Sequence, residues 1–245
     1  MLCGAGVLAG AMNSLAGGGS FVTLPALIAA GVPSVQANTS STVALYPSQL
    51  FNAWVYRDSL RSFGNVSLRT LSIVTLIGGA VGAVLLLKTP THAFDVTLPW
   101  LMLCATLALA FAKRWGEFLH AHVTIGPGVA IAIQSVLALY GGYFGGAVGL
   151  MMTAAWGLLH DADPKSMNGP RTWLVATANT VAVMIFLAAR AVFWREALVL
   201  LCGALLGVYL GSRIGRRASA RTTRALTLVL SISITVAFFV KAYRA

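Results

Sequence analysis

Asn13, Gly17, Gly18, Gly19 and Ser20 form the first group of residues that could bind a ligand, because they interrupt a long apolar stretch. Each of the three consecutive glycines costs a helix about 1 kcal/mol relative to alanine, so we expect the chain to turn here. Such a turn leaves backbone N–H groups free at the start of the next helix, and these groups favour anions. Small residues also let helices pack closely in membranes, so an anion-binding tip and a close helix contact are both consistent with the pattern.

A second polar group lies in the next apolar stretch and contains Asn38, Thr39, Thr42 and Gln49. Asn38, Thr42 and Gln49 follow an i, i+4, i+11 spacing, which puts them near one face of a helix. Hydroxyl groups can bond back to their own helix, so the threonines have a structural interpretation as well. Amide side chains are costly to expose to lipid, and we therefore expect them to line a polar cavity or to bond between helices.

The second half of the chain repeats the glycine break. Residues 143–147 match residues 15–19 at an offset of 128, and this second segment contains Gly145 and Gly146. A glycine run that recurs at a matching position is less typical of packing alone. The recurrence therefore favours the ligand-binding interpretation of the first break, and it indicates an internal repeat.

The polar group is repeated too, after a two-residue insertion, so that Asn168 corresponds to Asn38 and Asn179 to Gln49. Arg171 lies beside this second group, one turn into its apolar stretch. Its guanidinium has two interpretations: the long side chain extends to the membrane interface, or it supplies a fixed positive charge for an anion. The sequence leaves both open.

The composition indicates which elements carry these residues. The 245-residue chain is 58% hydrophobic and 9% charged, whereas soluble domains contain about 25% charged residues. Its apolar stretches are long enough to cross a hydrocarbon core about 30 Å thick as helices. We therefore predict an all-α polytopic membrane protein with eight apolar stretches at residues 1–32, 36–56, 68–87, 97–112, 124–160, 170–190, 195–212 and 225–242.

The stretches 1–32 and 124–160 are too long for one crossing, and both are interrupted by glycine. If both are hairpins, twelve basic residues fall on one side of the membrane and five on the other, which agrees with the positive-inside rule. Each half is then a hairpin plus three crossings, so the second copy enters the membrane inverted. We predict two inverted repeats, 1–115 and 124–245, with both chain ends facing away from the cytoplasm.

Several functions are disfavoured by what the sequence lacks. The six carboxylates lie in loops or at the ends of apolar stretches, which disfavours a proton relay or a cation antiporter. No nucleophile–base pair, metal-binding spacing or phosphate-binding loop is recognisable, so we expect neither an enzyme nor a cofactor or metal. The basic residues sit in short loops, as topology signals do, and no nucleic-acid partner is expected.

The chain resembles the TauE/SafE family of membrane permeases, also called the sulfite exporter or toluene-sulfonate uptake permease family. The resemblance rests on the glycine-rich segment 13–25, on Ala37-Asn38-Thr39 after a Gly-Val-Pro turn, and on the echo of both at 141–146 and 168–171. It covers essentially the whole chain. The resemblance implies transport of small sulfur-containing anions across a bacterial inner membrane.

From the residues and this resemblance we expect a multi-pass secondary transporter whose partners are a lipid bilayer and a small anion. An anion channel on the same scaffold and a membrane subunit that only anchors a partner are the alternatives, and homo-oligomerisation is left open. Both hairpin tips are expected to meet near mid-membrane. The expected binding residues are Asn13, Gly17, Gly18, Gly19, Ser20, Asn38, Thr39, Thr42, Gln49, Gly145, Gly146, Asn168, Arg171 and Asn179.

Overall fold

The computed structural model describes residues 1–15, 18–60, 62, 66–122, 126–145, 148–159, 168–215 and 220–243. Gly17 and Gly146, two of the predicted binding residues, lie outside these ranges. The described chain is helical, as the composition predicts. Its helices are α1 (Leu2–Leu15), α2 (Ser20–Ala29), α3 (Ser34–Val55), α4 (Leu68–Lys88), α5 (Thr91–His122), α6 (Pro127–Phe144), α7 (Val148–Leu159), α8 (Asn168–Ala188), α9 (Trp194–Gly215) and α10 (Ala220–Tyr243).

Five helices in the described part of the chain are long and apolar enough to cross a membrane: α4, α5, α6, α8 and α9. The 22-residue α3 is long enough but is not one of the five, because it carries the polar group around Asn38. Helix α5 also differs from the predicted stretch 97–112. It continues to His122 through Lys113 and Arg114, because lysine and arginine are good helix formers.

The outward faces of these helices are apolar. Ile73, Ile77 and Val81 are exposed on α4, and similar rows of exposed aliphatic side chains follow α9 and α10. A soluble protein rarely exposes apolar surface on this scale, whereas a lipid-facing surface requires it. The structure therefore has the outer surface of a membrane-embedded helix bundle.

The chain reverses direction at each glycine break. Trp156 on α7 donates a hydrogen bond from Nε1 to Gln134 Oε1 on α6 at 3.1 Å, although a straight helix would separate these residues by about 33 Å. Gly19 likewise lies against the backbone of Ala9, ten residues earlier. The turn of the first hairpin has Gly18 at φ 86°, and Gly145, the residue that follows α6, has φ 65°. Glycine adopts this left-handed region without the steric penalty of a Cβ.

Helices α3 and α8 run antiparallel through the centre of the bundle. At one end, the Cα of Gly169 lies close to the carbonyl oxygens of Tyr56 and Ser59. Near the middle, Tyr46 Oη and Thr180 Oγ1 are 2.8 Å apart. We call the end near Gly169 the Arg57 end, and the opposite end of the bundle, which contains the turn between α8 and α9, the Arg190 end.

Two further helix pairs are packed through glycines. Helix α9 lies along α1, and α4 lies along α6. Gly211 of α9 has no room for a Cβ because Ala11 of α1 lies against it, and Gly82 of α4 is equally close to Leu139 of α6. Small residues at such contacts let two backbones approach closely. Both first arms of the hairpins are therefore held by a crossing helix of the other half of the chain.

Candidate functional site

The first hairpin tip is closed by Asn13. Its Oδ1 atom accepts a hydrogen bond from the backbone N–H of Gly19 at 3.0 Å. The N–H of Phe21 donates to the carbonyl of Gly18, which keeps a second amide of this turn within the hairpin. Gly18, Gly19 and Ser20 are buried. The geometry thus gives Asn13 a role in closing the tip and occupies the Gly19 N–H, one of the groups predicted to hold an anion.

Thr39 connects α3 to the Arg190 end. Its single hydroxyl proton is shared between the carbonyl oxygens of Gln36 and Ala191, which both lie within hydrogen-bond distance, and Thr39 itself is fully buried. The neighbouring Ser40 hydroxyl accepts a hydrogen bond from the N–H of Phe193 at 2.9 Å. These two hydroxyls fasten the turn between α8 and α9 to the start of α3, so their geometry is that of a structural contact.

Asn38 and Thr42 meet the second hairpin tip. Asn38 Nδ2 donates to the carbonyl oxygen of Tyr143 at 3.0 Å. Thr42 Oγ1 donates to the carbonyl of Asn38 at 2.9 Å and lies close against Gly145. Three of the predicted residues, Asn38, Thr42 and Gly145, are therefore brought together at the end of α6.

Gln49 and Asn179 lie at nearly the same depth in the bundle. Gln49 follows Tyr46 by three residues, and Asn179 precedes Thr180 by one residue on the antiparallel helix. Both residues therefore lie closer to the Arg57 end than the contact between Tyr46 and Thr180 does. At 1.5 Å per residue, their depths along the bundle differ by about 3 Å. Asn38 lies about 16 Å from Gln49 along α3, which is more than one small anion can span.

The amide oxygens of these residues are buried and unpaired. Asn38 Oδ1, Gln49 Oε1 and Asn179 Oδ1 have no hydrogen-bond partner among the described residues. Asn38 and Asn179 are at most 1% exposed. The Nδ2 group of Asn179 donates to the carbonyl of Val175, so its oxygen points elsewhere. A buried polar atom without a partner costs about 1–3 kcal/mol of folding free energy. Atoms of this kind are commonly satisfied by a bound ligand or water molecule.

Asn168 and Arg171 lie in the first turn of α8, at the Arg57 end, and both are partly buried. Arg171 precedes Asn179 by eight residues, or about 12 Å along the helix. The predicted set is thus distributed over three depths: Asn38 and Thr42 near the Arg190 end, Gln49 and Asn179 at mid-bundle, and Asn168 and Arg171 near the Arg57 end.

A second buried amide, Gln134, joins three helices. Its Nε2 donates to Thr75 Oγ1 at 2.7 Å, and its Oε1 accepts from Trp156. Gln134 is fully buried on α6. It was not among the predicted residues, although a single glutamine inside an apolar stretch is a signal that could have identified it.

A cavity of about 330 Å³ opens at the Arg190 end and is lined by Leu187, Arg190, Val192 and Trp194. Arg190 adopts φ 53°, which is rare for a residue with a Cβ. None of the predicted binding residues that the structure describes lines this cavity. It is separated from Gln49 and Asn179 along the bundle.

Comparison with known proteins agrees with these features. The profile of the family described as "Sulfite exporter TauE/SafE" matches residues 2–238, nearly the whole chain. No solved structure matches the chain significantly.

Three curated relatives are named as probable membrane transporter proteins. The protein YfcA of Escherichia coli strain K12 is 28% identical over 202 residues, which cover 82% of this chain and 74% of the relative. The protein ORF9 of Sinorhizobium sp. is 27% identical over 207 residues, 83% of this chain and 77% of the relative. A protein of Haemophilus influenzae is 24% identical over 202 residues, 82% of this chain and 79% of the relative. The helices of this chain are those of a multi-pass membrane protein, and the family profile matches nearly its whole length. The chain therefore belongs to the sulfite exporter TauE/SafE family of membrane transporters.

Proposed function

We propose that the protein is a secondary transporter that moves a small sulfur-containing anion by alternating access between two inverted repeats. The first repeat comprises α1–α5 and the second α6–α10. The sulfur oxyanion is suggested by the name of the family, and transport is the function of that family. The physical support comes from contacts between the two halves.

Contacts on one side of the bundle recur on the other in the register of the repeat. Gly82 packs against Leu139, and Gly211 packs against Ala11. Leu139 and Ala11 are 128 residues apart, the offset of the glycine breaks, and Gly82 and Gly211 are 129 apart. Helix pairs follow the same rule: α1–α9 corresponds to α6–α4, and α2–α3 corresponds to α7–α8. This pattern supports a pseudo-two-fold axis that exchanges the repeats.

In two helix pairs, α5–α10 and α3–α8, the two members correspond to each other in the repeat. The proposed axis would therefore pass between the two helices of each pair. Thr106 and Thr235 are 129 residues apart, and their Oγ1 atoms are 3.3 Å from each other. Gln49 and Asn179 correspond in the repeat and lie at matching depth on α3 and α8. For inverted repeats the axis lies in the membrane plane, so these residues would sit at the bilayer midplane, where transporters of this kind bind substrate.

The single observation that carries the proposal is that Gln49 and Asn179, on neighbouring antiparallel helices, lie at nearly the same depth and each have a buried amide oxygen without a partner among the described residues. An anion would be bound by amide N–H groups, of which each side chain has two. Asn179 Nδ2 donates one of them to the carbonyl of Val175 and keeps the other, and Gln49 Oε1 has no partner among the described residues that would fix the orientation of its amide. In the proposed cycle, one repeat rocks against the other and opens this pair to each side in turn. The basic Arg57 end would face the cytoplasm of a bacterial inner membrane.

Ligand binding to the purified protein tests the proposal. We expect sulfite, sulfate, thiosulfate or an alkyl sulfonate to raise the apparent melting temperature saturably, because a ligand that binds only the folded state stabilises it by about 2.7 kcal/mol at a hundred times its Kd. Gln49→Leu should abolish the rise. Gln134→Leu is the matched control, since it also removes a buried amide but should keep the ligand response. A rise that persists in Gln49→Leu would contradict the assigned site.

A further inference from the structure

The contact between Asn38 and the end of α6 has a feature that the anion site does not explain. Asn38 Nδ2 donates to the carbonyl oxygen of Tyr143 at 3.0 Å, and Asn38 is 1% exposed. Its Oδ1 has no partner among the residues that the structure describes. Rotating the amide by 180° would face Oδ1 toward the Tyr143 carbonyl, oxygen against oxygen, so the hydrogen bond fixes the orientation.

Other oxygens with free lone pairs lie in the same part of the bundle, at the end of α6. Helix α6 ends at Phe144, and the carbonyl groups of its last turn carry the negative end of the helix dipole. The proton of Thr42 Oγ1 is directed to the carbonyl of Asn38, which leaves the hydroxyl as an acceptor beside Gly145. Asn38 Oδ1, Thr42 Oγ1 and Tyr143 O therefore present only acceptors.

A cluster of acceptors repels an anion and attracts a cation. Oxygen ligands suit hard cations, but calcium and magnesium sites in proteins normally include carboxylates. The six Asp and Glu residues of the chain all lie outside α3, α6 and the turn that follows α6. The oxygens at this site are uncharged, and carbonyl oxygens of this kind replace the hydration shell of monovalent cations.

The geometry points to a monovalent alkali-cation site at the end of α6, formed by Asn38 Oδ1, Thr42 Oγ1 and Tyr143 O. Its role rests on the proposed function: the cation moves together with the anion bound at Gln49 and Asn179, about 16 Å away along α3. The bound charge offsets that of the anion between α3 and α8, two helices that contain no carboxylate. Broken helices in transporters bind coupling ions at the carbonyl ends of their half-helices, which is the position of this site.

The test measures cation binding without any anion substrate. The full-length protein in nanodiscs is titrated with NaCl, KCl and choline chloride at constant ionic strength while its melting temperature is recorded. We expect Na⁺ or K⁺, but not choline, to raise the melting temperature saturably. Asn38→Leu removes the orphan oxygen, and Thr42→Val removes the hydroxyl with little change in shape. Each substitution should weaken cation binding, so that the half-saturating cation concentration rises about tenfold or more.

Thr97→Val is the matched control. Thr97 makes the same backward hydrogen bond to a carbonyl four residues earlier, at 2.8 Å, but it lies exposed on α5. It should respond to cations like the wild-type protein. Thr42→Ser, which keeps the hydroxyl, should retain most of the response even if Asn38→Leu folds poorly.

Equal melting temperatures in all three chlorides, or unchanged titrations in Thr42→Val, would overturn the cation site. Anion transport that is unaffected by replacing Na⁺ and K⁺ with choline would overturn the coupling and leave the proposed function intact. Conversely, a cation-dependent melting temperature in a protein that transports no sulfur oxyanion would keep the site and remove the proposed function.

Discussion

At the scale of single residues, buried amides differ in whether their hydrogen bonds are made. Gln134 is paired with Thr75 and Trp156, whereas the oxygens of Asn38, Gln49 and Asn179 are unpaired among the described residues. Paired amides contribute to stability, and an unpaired one costs free energy unless a ligand completes it. For the proposed function we expect this difference to separate amides that stabilise the fold from amides that take part in transport.

Gln134→Leu should therefore destabilise the protein, whereas Gln49→Leu should not. Gln134→Leu removes two buried hydrogen bonds between helices and should lower the free energy of unfolding by about 1–3 kcal/mol. Gln49→Leu removes an unpaired oxygen and should leave stability unchanged or slightly increased, while abolishing transport. Urea or thermal unfolding in a common detergent measures both. Equal destabilisation by the two substitutions would mean that Gln49 is structural.

The amide residues also mark the limit of sequence analysis. Their presence in apolar stretches is visible in the sequence, and it predicts polar contacts inside a membrane. Which amide closes a hairpin and which faces a ligand depends on partners that are distant in the chain. Asn38 is bonded to Tyr143, 105 residues away, while Asn13 is bonded to Gly19 within the same hairpin. No local pattern distinguishes the two.

At the scale of elements, the two glycine breaks and the two glycine-packed helix pairs shape the bundle. The breaks are predictable because three consecutive glycines, or two pairs of them, are incompatible with an uninterrupted apolar helix. The packed pairs are harder to predict, because a glycine in a membrane helix is compatible with many partners. The contact of Gly211 with α1 and of Gly82 with α6 required the three-dimensional arrangement.

Gly82→Val and Gly211→Val should each reduce the folded yield strongly. A side chain at either position collides with the backbone of the opposing helix, and flexible side chains cannot relieve that clash. Gly128→Ala, on α6, has no neighbouring atom within 4 Å and should fold as well as the wild-type protein. Size-exclusion profiles of the detergent-solubilised proteins report the yield. Normal folding of both valine variants would refute the packing of these pairs.

The glycine at the first tip can be tested against a glycine with the same backbone conformation elsewhere. Gly18 has φ 86° and Gly31 has φ 87°, so alanine should cost about 1–2 kcal/mol at either position. Gly31 lies two residues after the end of α2 and has open space around it. We expect Gly18→Ala to reduce the initial rate of transport beyond its effect on stability, whereas Gly31→Ala should affect stability alone. Identical rates for the two variants would assign the tip a purely structural role.

At the scale of the whole molecule, the predicted topology gives the two ends of the bundle different charges, and aromatic side chains lie near both ends. Trp54 stacks under Arg57 at 4.6 Å from the ring centroid, and Trp100 donates to Tyr243 Oη at 2.9 Å near the opposite end. Aromatic residues favour both membrane interfaces, and an excess of basic residues favours the cytoplasm. The sequence predicts this asymmetry because charge counts depend only on the order of the crossings.

Labelling of single cysteines should reveal the orientation. In a variant whose Cys3, Cys104 and Cys202 are replaced by alanine, Arg57→Cys should react with a membrane-impermeant maleimide only in inside-out vesicles. Arg195→Cys should react only in intact spheroplasts. Both positions are exposed. Reaction of both from the same side would require an even number of crossings between them, whereas the hairpin topology places three there, and it would contradict that topology.

The central claim is that the bundle carries a sulfur oxyanion by alternating access, and counterflow in proteoliposomes tests it most directly. Vesicles loaded with unlabelled sulfite are diluted into labelled sulfite, and the transient accumulation of label is followed. The account predicts accumulation that saturates with substrate and falls to the level of empty vesicles in Gln49→Leu. Flux that rises linearly with concentration and ignores the loaded anion would identify a channel, and wild-type flux equal to that of empty vesicles would contradict transport of this anion.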